Sequence, residues 1–282
     1  MPAVVSLVVE ASLKLQGHLP ALPLLLFCAF ATQFFYNGAY LLQSNEENLL
    51  HPRAKWYQQN KTYLRGYQLF LFILLIVTGA YSLLRLQHLP SRSECTLLVV
   101  LLFFSIAYYG IKIKEKHYSL RGLGWTKPFI IALAWTGMVV WFPNIYFGLT
   151  QLEVETDRTA LLLVSANNFI VITLLAIVFD VKDYADDKNE DIKTFVVRFG
   201  INGTITRILL PLTLLGMGIT CTIGYYFHYP LPAMVCQLLT YLLLYLLLYS
   251  LQKKRSIYFY LLLVDGVLIL KGMSGIAAFF LS

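Results

Sequence analysis

The sequence has few charged residues and no closely spaced cysteines. The first feature argues against a soluble globular protein, and the second argues against a cysteine metal site. Charged side chains make up only 13% of the 282 residues, whereas soluble globular proteins carry roughly a quarter. The four cysteines include no CxxC pair and no metal-ligand spacing, so we expect ordinary core thiols. Heptads, low-complexity tracts and internal repeats are also absent. Residues 1–20 lack a basic n-region and a small-residue cleavage site, so we expect them in the mature chain and not as a signal peptide.

Long apolar runs fill the chain instead. Hydrophobic residues account for 58% of the sequence, and their runs approach the length of about 20 residues that a membrane-spanning helix needs. Little room is left for a soluble domain, so we predict one all-α integral-membrane domain over residues 1–282. If the short first helix crosses the membrane there are nine spans, and if it lies on the surface there are eight. The helices are expected at about 2–16, 20–43, 66–86, 95–112, 128–148, 160–180, 205–227, 230–250 and 257–280.

The formal charge of +7 is unevenly distributed between the loops. Of the 22 basic residues, 17 lie in the alternate segments 44–65, 112–127, 181–207 and 250–257, whereas the intervening loops hold three. This alternation is the positive-inside pattern, and it predicts that the long polar loops are cytoplasmic. Membrane topology therefore explains the positive charge, and we expect membrane lipids and no nucleic acid as partners.

A cluster of acidic residues follows one apolar helix, in the segment FDVKDYADDKNEDIKTFVVRFG over 179–200. If the helix continues, Asp180, Asp183 and Asp187 lie on one face. Their charges repel each other unless a cation lies between them, and Mg²⁺ prefers such oxygen ligands and bridges to phosphates. Lys188 and Lys193 are interleaved and suit phosphate oxygens. A solvated, charge-balanced loop is the alternative, but the ordered spacing favours a metal site.

This segment resembles the second aspartate-rich motif of the UbiA superfamily of intramembrane prenyltransferases. That motif is a DxxDxxxD array followed by a basic residue and a tail ending in VR(F/L)G. Asp180, Asp183 and Asp187 occupy the acidic positions, Lys188 follows, and the tail reads IKTFVVRFG. Asp191 stands where the family usually has glycine. The charge pattern and the helix count extend the resemblance, more loosely, over most of the chain.

The family's first motif, NxxxDxxxD, is degraded in this sequence. Anchoring it on Asn37 in FFYNGAYLLQSNEEN puts Leu41 and Asn45 where the two aspartates belong. Leu41 cannot bind a metal, whereas the oxygens of Asn45 and Glu46 suit a rearranged magnesium site. An ordinary polar helix end is the alternative interpretation. The resemblance implies that Asn37 helps to bind substrate and that a basic residue follows, a position that Arg53 fills.

A third segment, YYGIKIKEKHYSLRGLGWTKP, resembles the tyrosine- and lysine-containing loop before the family's next helix. The resemblance implies that Tyr109 and Tyr118 line the substrate cavity and that Lys127 contacts diphosphate. Polar residues inside the apolar helices are costly in lipid and should face the bundle interior. For two of them, Asp265 and Lys271, we expect structural pairing and not a catalytic role.

The resemblance implies a bundle of eight to nine transmembrane helices around a central cavity open to lipid, with both acidic regions at its cytoplasmic mouth. It implies a Mg²⁺-dependent enzyme that transfers a prenyl group from a polyprenyl diphosphate to a lipophilic acceptor, aromatic acceptors included. A terpene cyclase of the same fold is one alternative. A non-catalytic scaffold that binds lipid or a partner is another, favoured by the lost first-motif aspartates and disfavoured by the intact second array.

Overall fold

Helices dominate the structure, since apolar runs in a membrane must satisfy their backbone hydrogen bonds internally. The computed structural model describes residues 1–43, 52–109, 111–113, 116–118, 124–150, 156–189, 192–251 and 256–282. Two three-residue strands, β1 (Ile111–Ile113) and β2 (Lys116–Tyr118), pair antiparallel. The helices are α1 (Pro2–Gln16), α2 (Leu22–Gln43), α3 (Pro52–Gln59), α4 (Lys61–Leu83), α5 (Arg92–Tyr109), α6 (Lys127–Thr136), α7 (Phe142–Thr150), α8 (Arg158–Lys182), α9 (Tyr184–Asn189), α10 (Phe195–Thr204), α11 (Leu210–Tyr226), α12 (Leu231–Ser250) and α13 (Ile257–Phe280).

Seven helical segments within the described residues are long and apolar enough to cross a membrane. Two of them are composite, because the π-helical turns Gly137–Trp141 and Ile205–Leu209 join α6 to α7 and α10 to α11. The helices α1 and α5, which the expected count of eight to nine includes, are not among the seven. The seven segments are Leu22–Leu41, Lys61–Leu83, Gly124–Thr150, Arg158–Lys182, Phe195–Tyr226, Leu231–Ser250 and Phe259–Phe280.

Helix α8 lies at the centre of the packing. It contacts α6, α10, α11 and α13, and its residues Val171, Leu174 and Ile177 have no exposed surface. A helix that is apolar all round is expected to be buried on all sides, as this one is.

Helix α1 packs closely against α13 through glycines of the latter. A Cβ atom added to Gly272 would lie 2.5 Å from the side chain of Ser6, and one on Gly275 would lie 2.4 Å from that of Glu10. Small residues let membrane helices approach in this way. Because Val4 and Glu10 of α1 are almost fully buried, α1 is packed inside the helical assembly.

Contacts between connecting segments show which helix ends lie next to each other. The backbone of Gly124, before α6, packs against that of Lys193, after α8: a Cβ on Gly124 would lie 2.6 Å from the carbonyl oxygen of Lys193. The carbonyl oxygen of Leu149 accepts hydrogen bonds from the backbone N–H groups of Gln87 and His88. The basic segments before α6 and after α8 therefore share one end of the assembly. That this end faces the cytoplasm stays a prediction.

Candidate functional site

A buried ion pair joins the start of α6 to the end of α8. Lys127 Nζ lies 2.6 Å from Asp180 Oδ1, and Asp180 is only 1% exposed. Lys127 is the first residue of α6, and the adjacent Pro128 suits this first turn because it has no N–H to leave unpaired. Each charge alone would be costly at this depth, so the pair binds the two helix ends together.

The acidic array does not lie on one continuous helix. Helix α8 ends at Lys182, and Asp183 follows as its C-cap with φ −91° and ψ 8°. Asp187 lies on the separate short helix α9. The three aspartates were expected on one helix face only if the helix continued through the acidic segment, and it does not. The backbone N–H of Asp187 nevertheless donates to the carbonyl oxygen of Asp183 at 2.9 Å, so the turn keeps these residues close in space.

The three aspartates differ in their surroundings. Asp187 is buried, like Asp180, whereas Asp183 is partly exposed and its Oδ1 lies 3.0 Å from Lys182 Nζ. Among the described residues, no group of three or more His, Cys, Asp and Glu side chains is arranged to hold a metal ion. Glu190 and Asp191 lie outside the described residues. The Mg²⁺ site stays a prediction.

The tail of the acidic segment redirects the chain into the next membrane helix. The Thr194 hydroxyl accepts a hydrogen bond from the Val197 N–H and caps α10. Gly200 has φ 68° and ψ 170°, a conformation that is accessible almost only to glycine. The Thr204 hydroxyl donates to the carbonyl oxygen of Gly200 at 2.8 Å and stabilises this kink. Threonine and glycine in IKTFVVRFG therefore have structural roles.

Three aromatic rings pack together between α6, α8 and α10. The ring centroid of Phe129, two residues after Lys127, lies 6.4 Å from that of Phe169 and 6.1 Å from that of Phe195. These rings belong to α6, α8 and α10, the three helices that carry the second motif and its neighbours. Lys188 and Lys193 are exposed at the same end.

Asn37 forms a side-chain pair that the sequence did not indicate. Its Nδ2 donates to Gln68 Oε1 at 2.8 Å, and Gln68 Nε2 donates to the Phe34 carbonyl oxygen at 2.8 Å. This ties α2 to α4. Trp135 Nε1 donates to the Tyr36 hydroxyl at 3.0 Å and ties α2 to α6. A glutamine inside the apolar helix α4 was the available signal, because such a residue needs an interior partner.

Five other predicted site residues are not placed by the structure. Asn45 and Glu46 lie outside the described residues. Arg53, Tyr109 and Tyr118 lie in α3, α5 and β2, but their side chains are outside the described part. Their assigned roles stay predictions.

A second polar cluster lies deep between α1, α8, α12 and α13. Lys271 Nζ lies 2.7 Å from Glu10 Oε2 and 3.0 Å from Asn168 Oδ1. Lys271 therefore has the structural pairing that was expected, and its partner Glu10 lies on another helix. Sequence reasoning missed Glu10 because, with Lys14 four residues on, it resembles an ordinary exposed helix pair.

Together these features define an α-helical integral-membrane protein with several membrane-spanning helices. Comparison with family models, curated proteins and solved structures finds no match.

Proposed function

We propose that the chain is a Mg²⁺-dependent prenyltransferase that uses a polyprenyl diphosphate donor and a lipophilic acceptor within the membrane. The observation that carries this proposal is the contact between Lys127 and Asp180, which are 53 positions apart in sequence. The UbiA resemblance assigns these residues to diphosphate and metal binding on separate grounds. Their meeting, together with the contact between Gly124 and Lys193, supports a single site built from both segments.

The donor set fits the proposed metal. Carboxylate oxygens are the ligands that Mg²⁺ prefers, and Asp180 and Asp187 are buried carboxylates at one helix end. We propose Asp180, Asp183 and Asp187 as ligands, joined by Asn45 and Glu46 from the segment after α2. Bound Mg²⁺ supplies positive charge next to the diphosphate leaving group.

The basic residues at this end have a complementary role. The Lys127 ammonium carries three N–H donors, of which one is directed to Asp180. In this proposal the Lys127 ammonium also contacts the diphosphate, and the exposed Lys188 and Lys193 provide further donors. In the reaction, the bond between the prenyl carbon and the diphosphate oxygen breaks, and the electron pair stays on that oxygen. These donors stabilise the resulting charge more strongly than they stabilise the bound substrate.

In this proposal, apolar and aromatic side chains bind the prenyl chain of the substrate. Phe129, Phe169 and Phe195 pack against one another on α6, α8 and α10, and in this proposal these aromatic rings give an allylic cation cation–π stabilisation. The acceptor forms a bond to this cation with its own electron pair and then loses a proton. In this proposal α1 and α5 complete a bundle of eight to nine helices around a lipid-open cavity, with its acidic end in the cytoplasm.

One observation favours a non-catalytic scaffold as a second candidate. Lys127 already neutralises Asp180, so this carboxylate has a stabilising role without any metal. In that case the ion pair is purely structural, and lipid or a partner occupies the cavity.

Labelled prenyl diphosphates added to the purified protein in lipid nanodiscs, with a membrane-lipid extract as acceptor, test the proposal. We expect a labelled transfer product that requires Mg²⁺ and disappears in Asp180→Asn. Asp157→Asn is the matched control, because Asp157 caps the other end of the same helix α8 and asparagine caps equally well. A cyclic product without acceptor would identify a terpene cyclase, and no turnover by folded protein would favour the scaffold.

A further inference from the structure

With its ionisable side chains charged, the polar cluster between α1, α8, α12 and α13 has one positive charge in excess. Among the described residues Glu10 is its single acid, and its two carboxylate oxygens contact Lys14 Nζ at 2.8 Å and Lys271 Nζ at 2.7 Å. All three side chains are at most 6% exposed. An uncompensated charge at such depth is costly. Either a lysine is neutral, or a negative charge that is not part of the chain completes the cluster.

A small cavity of about 10 Å³ adjoins two of these charges, those of Glu10 and Lys271. Its lining residues are Glu10, Asn167, Thr220, Gln237, Thr240, Tyr241, Lys271 and Ser274. Most of its uncharged groups bond to each other: Asn167 and Thr220 both donate to the Tyr241 hydroxyl, and the Thr240 and Ser274 hydroxyls are 3.1 Å apart. This cavity is about the size of one water molecule, so it can hold no more than a single small ligand.

Gln237 is the exception in this lining. Its Oε1 accepts a hydrogen bond from Lys14 Nζ at 3.0 Å, and this bond fixes the orientation of the amide because an ammonium can only donate. The side chain is therefore oriented with Nε2 as a second donor site. Among the described residues Nε2 has no hydrogen-bond partner, although Gln237 is only 6% exposed. A buried amide donor without an acceptor is unusual and indicates a missing partner.

We propose that this cavity binds one monatomic anion, chloride being the one tested. An anion supplies at once the missing negative charge and the acceptor for Gln237 Nε2. A cation is disfavoured by the excess positive charge of the cluster and by the unpartnered N–H donor of Gln237. Phosphate and the carboxylates of lipids are too large for the space. A water molecule would accept the hydrogen bond but would leave the charge uncompensated.

The proposed anion site is separate from the Lys127–Asp180 site. Asn168, which contacts Lys271, and Asp180 are 12 residues apart on α8, or about 18 Å along the helix. The anion is therefore a structural ligand that joins α1, α12 and α13, and its binding does not depend on the proposed prenyltransferase activity.

Thermal unfolding of the purified protein in detergent, followed by tryptophan fluorescence, tests the proposal. Chloride replaces gluconate at constant ionic strength, so that screening stays the same. For the wild type we expect a saturable rise of about 2–4 °C in the unfolding midpoint, the size that about 1 kcal/mol of binding gives. Bromide should act like chloride, whereas sulfate should have no effect because it does not fit.

Two glutamine variants separate this cavity from surface effects. Gln237→Glu places a carboxylate where the anion would compensate the charge. The unfolding midpoint of this variant in gluconate should therefore be higher than that of the wild type and should not change with chloride. Gln87→Glu makes the same change of net charge at an exposed position and should keep the wild-type chloride response. Identical chloride and gluconate curves in the wild type would overturn the proposal, as would an unchanged chloride response in Gln237→Glu. If Gln237→Glu does not fold, the comparison of chloride with gluconate and sulfate in the wild type still tests whether the cavity binds an anion.

Discussion

Lys127 and Asp180 meet with Nζ and Oδ1 2.6 Å apart, at the start of α6 and in the last turn of α8. The contact connects two polar segments that are separated by most of two membrane helices. It also places a buried carboxylate next to a buried ammonium. The stability of this end of the assembly and the proposed chemistry therefore depend on the same two side chains.

Removing the lysine alone should destabilise the protein strongly. In Lys127→Met, the buried Asp180 loses the Lys127 ammonium, and loss of one partner of such a pair costs about 3–5 kcal/mol. Thermal or denaturant unfolding in detergent measures this loss. The double variant Lys127→Met/Asp180→Leu should recover most of it, because no uncompensated charge remains. Equal stability of the single variant and the wild type would show that the pair contributes nothing.

The aspartates should be needed for turnover to a much greater extent than for folding. We expect Asp180→Asn and Asp183→Asn each to lower the rate of prenyl transfer by about 100-fold or more, the scale of lost electrostatic stabilisation. An asparagine at 180 removes the ion pair but still offers Lys127 an oxygen acceptor, so the loss of stability should be smaller than in Lys127→Met, and turnover is compared for protein that unfolding in detergent shows to be folded. Transfer assays at saturating Mg²⁺ measure the effect, with Asp157→Asn as control. Full turnover in both variants would exclude the assigned metal role.

Gly124 should tolerate no side chain. It has φ +59°, a region that costs other residues about 1–2 kcal/mol, and a Cβ there would lie 2.6 Å from the Lys193 carbonyl oxygen. Gly124→Ala should therefore lower the unfolding midpoint. The control is Gly66→Ala in α4, where a Cβ meets no atom within 4 Å and alanine favours the helix by about 0.5–1 kcal/mol. Equal midpoints for the two variants would contradict the close approach of the two segments.

Asp157, at the other end of α8, should make stability depend on pH in the acidic range. Its carboxylate accepts hydrogen bonds from the Tyr226 hydroxyl and the Thr159 N–H, which lower the pKa of Asp157 from its usual value. Because the folded pKa is the lower one, the contribution is present above the unfolded pKa of about 4 and is lost as pH falls through the folded value. Unfolding midpoints of the wild type and Asp157→Asn, compared across this range, should differ at neutral pH and converge in acid. A constant difference at all pH values would exclude this linkage.

Local composition was sufficient to predict much of the fold. The helix expected at 160–180 is observed as Arg158–Lys182, and that expected at 230–250 as Leu231–Ser250, because an apolar run in a membrane can satisfy its backbone only as helix. The helix bounds in the polar segments were harder to predict. The helix expected from 205 already begins at Phe195, where the cap by Thr194 and the kink at Gly200 continue it from the polar connection.

The side-chain partners were decided only by the tertiary structure. The sequence singled out Lys127 and Asp180 separately, but nothing local indicated that they meet, and it missed Glu10 as the partner of Lys271. Hydrophobic periodicity defines which face of a helix is apolar, and therefore which residues form helices and which polar residues must be interior. Which two interior residues pair depends on how helix surfaces distant in sequence fit together, here through the glycines of α13 against α1, and this fit is a property of the assembled bundle.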